Sequence, residues 1–197
     1  MEIETILNTT EDITFDYQLL RTPSVRFPAH SHNAYELIFY LQGNVTYLIE
    51  DRMYELHKYD LVITRPTEHH YIRLNSDADY ERYNLLIAPH HPLAKLLKTI
   101  PPKVEVINCR NSNVIIEDFK RIKSYKEIFS PEIFHELLNA LLTEIFYNLQ
   151  LLDSALFVSP QSISPLITKA LTYINEHLFT IQNISEISDE LFIAQNY

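Results

Sequence analysis

A chain of 197 residues, 46% hydrophobic and 21% charged, is long enough for one substantial globular domain, or for one with a small appendage. Its formal charge of -10 argues against phosphate-backbone binding by these residues, which needs a clustered basic surface. The lone Gly43 excludes the glycine-rich phosphate loops of P-loop NTPases and Rossmann enzymes, the lone Cys109 excludes an internal disulfide and fits a reducing cytoplasm, and no apolar run approaches the roughly 20 residues of a membrane span.

The opening segment, Met1 to Asp12, is acidic and polar and does not read as a secretory signal. It is open between a flap over a pocket mouth and a disordered tail. From Ile13 to Ile87 the segments YELIFYLQ, VTYLIED, MYELHKYD, LVITRP and YERYNLLI are rich in Tyr, Val, Ile and Phe. Polar turns at Gly43-Asn44, Asp51-Arg52, Tyr59-Asp60 and Asn75 to Asp79 separate them. Short strands at this spacing predict an antiparallel sandwich or barrel.

Beyond Ala88 the pattern predicts a short helix around Leu93 to Leu97 and one more strand in VEVINC. From Ser130, a cap followed by Pro131 and Glu132, the period is helical as far as Asp153. Its apolar stripe (Phe134, Leu137, Leu138, Leu141, Leu142, Ile145, Phe146, Leu149, Leu152) is wider than one packed face usually requires. Ser154 to Gln161 reads as a linker. Ser164-Pro165 then opens a helix over ITKALTYINEHL, and Asn183 caps a second one from about Ile184.

The chemistry concentrates in PAHSHNAYELIFYLQG. Alternate residues of a strand share a face, so His30, His32 and Glu36 point one way, with Ile38 and Tyr40, while Leu37, Phe39 and Leu41 point the other. His70, after LVITRP and a turn, is placed to reach the same point from a neighbouring strand. Three imidazoles and a carboxylate suit a divalent transition metal such as Zn, Fe, Ni, Mn or Cu. They equally suit a metal-free polar pocket, because His is a routine hydrogen-bonding residue. His57, His69, His90, His91 and His177 read as surface residues. Cys109, in an apolar context, reads as inert.

His30-x-His32, three residues, Glu36, six residues and Gly43 resemble the first cupin motif. Asp60-Leu61 through Pro66 to His70 resembles the second, with Tyr59 and Thr67 where that motif usually has glycines. The resemblance implies a mainly β fold with α, a cupin-like double-stranded β-barrel, in which His30, His32, Glu36 and His70 are the metal-ligand positions. More specifically, HSHNAYELIFYLQG, TYLIEDRMYEL, DLVITRPTEHH and YERYNLLI are similar to the sensor half of AraC-family transcription regulators. ALTYINEHL with ISEISDELFIAQNY is similar to the start of that family's helix-turn-helix DNA-binding domain.

The resemblance implies four parts: a barrel over 1–110, a helical and dimerisation region over 111–155, a linker over 156–163, and a truncated DNA-binding domain over 164–197. The recognition helix would begin near Ala194 and be cut off. From Gln161 onward Lys169 is the only Lys or Arg, so DNA is a partner of the full-length protein and not expected for this chain. A small effector, a sugar or glycoside first of all, would bind Arg26, His30, His32, Glu36, Tyr40 and His70. A homodimer would form through Phe134, Leu138, Leu141, Ile145, Leu149 and Leu152, with no membrane involved. The alternative is a metal-dependent cupin enzyme, an isomerase or dioxygenase; against it stands the C-terminal segment from ALTYINEHL to SDELFIAQNY, which a compact cupin enzyme does not need.

Overall fold

The computed structural model describes residues 3–9, 12–21, 27–162, 165–177 and 180–192. Its strands are β1 (Ile3–Thr9), β2 (Ile13–Leu20), β3 (Tyr35–Gln42), β4 (Val45–Ile49), β5 (Arg52–Glu55), β6 (Asp60–Thr64), β7 (His70–Leu74), β8 (Tyr80–Ile87), β9 (Val106–Asn108) and β10 (Gln161–Ser162). The helices are α1 (Ala94–Leu97), α2 (Asn113–Ile128), α3 (Pro131–Gln150), α4 (Pro165–Glu176) and α5 (Ile184–Glu190). The strands form two antiparallel sheets, in the orders β1-β2-β8-β3-β6-β9 and β10-β5-β4-β7. This is the mainly β fold with helices that the sequence predicts.

Strand alternation explains the layering. Ile38, Tyr40, Val62, Tyr80 and Val106 face the space between the sheets, where they meet Val45, Tyr47, Ile49, Tyr54 and Ile72 of the smaller sheet. Their neighbours Leu37, Phe39, Leu61, Ile63, Tyr83, Leu85 and Ile107 face outward and bury against α1, α2 and α3. With one face in the barrel and one under helices, strands such as YELIFYLQ are apolar along nearly their whole length.

Among the turns with residues at positive φ, three bear on the barrel motifs. Gly43 has φ +137, and a Cβ there would lie 3.1 Å from the Tyr40 hydroxyl and 3.3 Å from Tyr80, so glycine fits both the backbone and the space. Tyr59 (φ 70) and Thr67 (φ 72) adopt positive φ despite their side chains. These are the two positions where the cupin motif usually has glycine, so the loop keeps its shape and accepts the strain.

Four expectations are corrected. Residues 3–9 form an edge strand, β1, in register with β2 from Ile3↔Leu20 to Thr9↔Thr14, where a flap or disordered tail was anticipated. The segment read as a free linker is docked: Phe157 bridges Ile107, the Val158 amide donates to the Val106 carbonyl (2.9 Å), and β10 pairs with β5. It therefore caps an edge of each sheet. The sequence predicts one helix within 111–155, from Ser130; α3 starts there as expected, but a further helix, α2, precedes it, and the two pack on each other and on the larger sheet.

The fourth concerns the residues assigned to a dimer interface. Phe134, Leu138, Leu141, Ile145 and Leu149 are buried in the chain's own core, and Leu152 packs partly against it. The helices must cover the outer face of the six-stranded sheet, and that consumes the stripe. The apolar residues α3 leaves open are Ile133 (50% exposed), Ala140, Tyr147 (54%) and, just past its end, Leu151 (83%), with Leu137 half-buried among them. Their spacing, 133, 137, 140, 147 and 151, fits a heptad seam.

Candidate functional site

A cavity of about 200 Å³ opens between the sheets. Glu36 and Ile38 of β3, Tyr47 of β4 and His70 to Ile72 of β7 form part of its wall. Arg82, Asn84 and Leu86 of β8 and Phe27, His30 and His32 of the preceding loop complete it. It is smaller than the roughly 300–1,000 Å³ of drug-sized sites, and suits a ligand about as large as one sugar ring.

The four sequence-assigned positions meet at one end of this cavity: His30, His32, Glu36 and His70 each offer a donor atom within 4.8 Å of the others. Backbone pairing brings them there. His30 and His70 exchange amide-to-carbonyl bonds of 3.1 and 3.0 Å in an isolated antiparallel bridge, and the Thr67 amide donates to the His32 carbonyl at 2.9 Å. His30 Nδ1 lies 3.0 Å from the Pro28 carbonyl and His70 Nδ1 lies 2.9 Å from that of Glu68. A carbonyl only accepts, so both Nδ1 atoms carry a proton. That fixes the tautomer and ring orientation and turns Nε2 towards the cluster, as backbone carbonyls do for metal-binding histidines.

Glu36 is the electrostatic centre. Its Oε2 lies 2.7 Å from His70 Nε2, 3.6 Å from His32 Nε2 and 3.4 Å from the Tyr47 hydroxyl. Burial on its own pushes the Glu36 carboxyl up, but the close approach of His32 and His70 and the charges of His70 and Arg82 outweigh it and hold the group well below its ordinary value. Burial likewise pushes His70 down, and its contacts with Glu36 and the Glu68 carbonyl reverse that, leaving it raised. Without a metal, the pair is a buried imidazolium–carboxylate contact.

Both nitrogens of His32 are buried without a hydrogen-bond partner among the described residues. An orphaned imidazole beside two oriented ones and an ionised carboxylate is a donor set that fits a divalent first-row metal.

The remaining assignments divide. Tyr40 shares the inward face of β3 but lies deeper, with its ring 6.3 Å from that of Tyr80 and its side chain in the inter-sheet core, and it does not line the cavity. Two residues beyond Ile38, it is about 7 Å further along the strand. Arg26 lies outside the described residues. Sequence reasoning left out Phe27, Tyr47 and Asn84, and weighed Arg82 only as a weak pocket candidate. For the last two the signal was present in YERYNLLI: Tyr83, Leu85 and Ile87 form the apolar outer set, which places Arg82 and Asn84 inside. Of the other histidines, His57, His69 and His90 are exposed, and His91 and His177 half-buried. Burial pushes the Cys109 thiol up to about 12, which leaves it unreactive.

No curated protein sequence matches the chain. Among solved structures it is similar to AerE from Microcystis aeruginosa (16% identity, TM-score 0.39, covering 43% of this chain and 41% of that one). It is similar to an RmlC-like cupin family protein with a double-stranded beta-helix fold from Methanocaldococcus jannaschii (19%, TM-score 0.37, covering 43% and 81%). It also resembles the plu4264 protein of Photorhabdus luminescens (24%, TM-score 0.39, covering 50% and 86%). Within the chain, residues 12–101, from the start of β2 past α1, match the family model of the AraC-like ligand binding domain.

Proposed function

We propose that the chain is the sensing part of a ligand-responsive transcription regulator that works in the cytoplasm. The cavity takes the effector, and α4 and α5 begin an attached DNA-binding part. The observation that carries this reading is the cavity of about 200 Å³, a largely apolar space with His, Glu, Arg and Asn side chains on its wall, inside the segment that matches an AraC-like ligand binding domain. A sugar or glycoside suits its lining. Phe27, Tyr47 and Tyr71 offer ring faces, while His32 and Asn84 offer hydrogen-bonding groups to hydroxyls.

In the C-terminal helices, Asn183 caps α5 by accepting from the Ser185 and Glu186 amides. Ala194, where a recognition helix would begin, lies outside the described residues. The chain by itself binds DNA weakly in this reading, since Lys169 is the only Lys or Arg from Gln161 onward. The open seam of α3, from Ile133 to Leu151, pairs with a second copy. Effector and DNA would then be coupled reciprocally by about 1–3 kcal/mol.

The test is thermal melting of the chain against a panel of sugars and related metabolites, with and without chelator. A ligand at 100 times its Kd adds about 2.7 kcal/mol, or several degrees for a domain of this size. No shift with any sugar, together with collapse on chelation, would sink the sensor reading.

The second reading is a metal-dependent enzyme, favoured by the orphaned nitrogens of His32. His30, His32, Glu36 and His70 would hold the ion, which would supply Lewis-acid polarisation of a bound substrate. Stoichiometric metal in the purified protein, with turnover of any small substrate, would establish it.

A further inference from the structure

The β8 wall of the cavity contains a cation that no metal would use and whose charge neutral sugar hydroxyls would leave unmatched. Arg82 is 7% exposed, and its guanidinium carbon lies 5.5 Å from the Phe27 ring centre and 5.6 Å from that of Tyr80. Its Nη2 donates to Gln18 Oε1 at 3.2 Å, its Nε has no hydrogen-bond partner, and among the described residues no carboxylate is within ion-pair distance of it. The neighbouring Asp16 is reached only through Gln18, whose amide donates to Asp16 Oδ2 at 2.6 Å. Burial raises the Asp16 carboxyl, and the charge of Arg82 and the Gln18 bond only partly offset this. Glu36, also on this wall, is engaged by His70 at 2.7 Å. One strand step from Arg82, Asn84 Oδ1 is buried and has no donor among the described residues.

A buried cation without a contacting counter-ion is costly to a fold unless something else supplies the charge. Resting on the reading of this cavity as the effector site, we propose that the effector is a small hydroxy acid of the sugar-acid class, its carboxylate received by Arg82 and an adjacent hydroxyl donating to Asn84 Oδ1. A guanidinium flanked by aromatic rings holds a planar carboxylate in a defined orientation. An unpaired acceptor one residue pair along the strand then selects a donor beside the acid.

The test is calorimetric titration of the full chain with matched acid and neutral compounds: D-glucuronate against D-glucose, D-galacturonate against D-galactose, and D-gluconate against sorbitol. The acid of at least one pair binds about tenfold or more tighter than its neutral partner. Arg82→Gln removes that preference, and Asn84→Asp, which sets a carboxylate against the ligand's, lowers acid affinity while sparing the neutral compound. If Arg82→Gln does not fold, Asn84→Asp decides alone. A neutral compound binding as tightly as its acid, or a variant weakening both equally, overturns the acid assignment and leaves the sensor reading standing. Failure of every acid and neutral compound to bind overturns both.

Discussion

Thr67 places a β-branched side chain at φ 72, a conformation that costs such residues about 1–2 kcal/mol. The side chain is exposed, and the residue's backbone amide bonds the His32 carbonyl, so the strain is stored beside the histidine loop. Thr67→Gly is therefore expected to stabilise the protein by about 1 kcal/mol after glycine's own entropy, raising Tm by about 2–4 °C. Thr67→Ala, which keeps the Cβ, gives no such gain. Equal melting of the two variants would mean that the turn is unstrained.

The Glu36–His70 contact makes a second prediction at this scale. Glu36 is lowered on folding, so its contribution is present above the ordinary value of 4.5 and fades as pH falls below it. His70 is raised, so its contribution is complete below 6.5 and is lost as pH rises through its folded value. Both are complete between those limits. In chelated protein, the stability difference between wild type and Glu36→Gln should be largest in that window and shrink on either side. A pH-independent difference would contradict the pairing.

At the scale of elements, α3 separates core from surface within one apolar stripe. Leu142→Ala, at a site with no exposure, is expected to cost about 2–5 kcal/mol in denaturant melts. Leu151→Glu, at 83% exposure, is expected to leave the melt of the monomer within about 0.5 kcal/mol and, if the proposed α3 seam pairs two copies, to weaken their association in sedimentation. The docked segment is tested in the same way. Phe157→Ala removes a half-buried ring from the edge of β9, at about 1–2 kcal/mol, and should expose Val158 to Ser162 to limited proteolysis. Unchanged proteolysis would show that the bridge to Ile107 does not hold the segment.

The two-sheet fold was legible in the sequence because strand period fixes which residues share a face, and Arg82 and Asn84 could have been read from it. The histidine cluster was legible through its motif spacing instead: His30 and His32 lie in the loop before β3, so no strand alternation carries them to Glu36. Helix period carries no such decision: a wide stripe on α3 says that much is buried, but not which edge lies on the chain's own sheet. Docking of residues 157–162 rests on one bridge and a two-residue strand, too short to leave a periodic signal. The depth of Tyr40 follows from the closure of the barrel around Tyr80, which no local pattern encodes.

For the whole molecule, two sheets flank a small cavity with a few polar groups on a largely apolar wall, and helices seal the outer face of the larger one. Residues 157–162 join the edges of both sheets, so the described backbone ties the chain to the barrel as far as Ser162. Among the described residues no helix is long and apolar enough to cross a membrane. The central claim is that a small molecule binds inside the barrel, and the most direct measurement compares effector-induced melting shifts in wild type and in Leu86→Trp, which fills the cavity from β8. The prediction is a shift of several degrees in wild type and none in a folded Leu86→Trp protein. An equal shift in both would place binding elsewhere and contradict it.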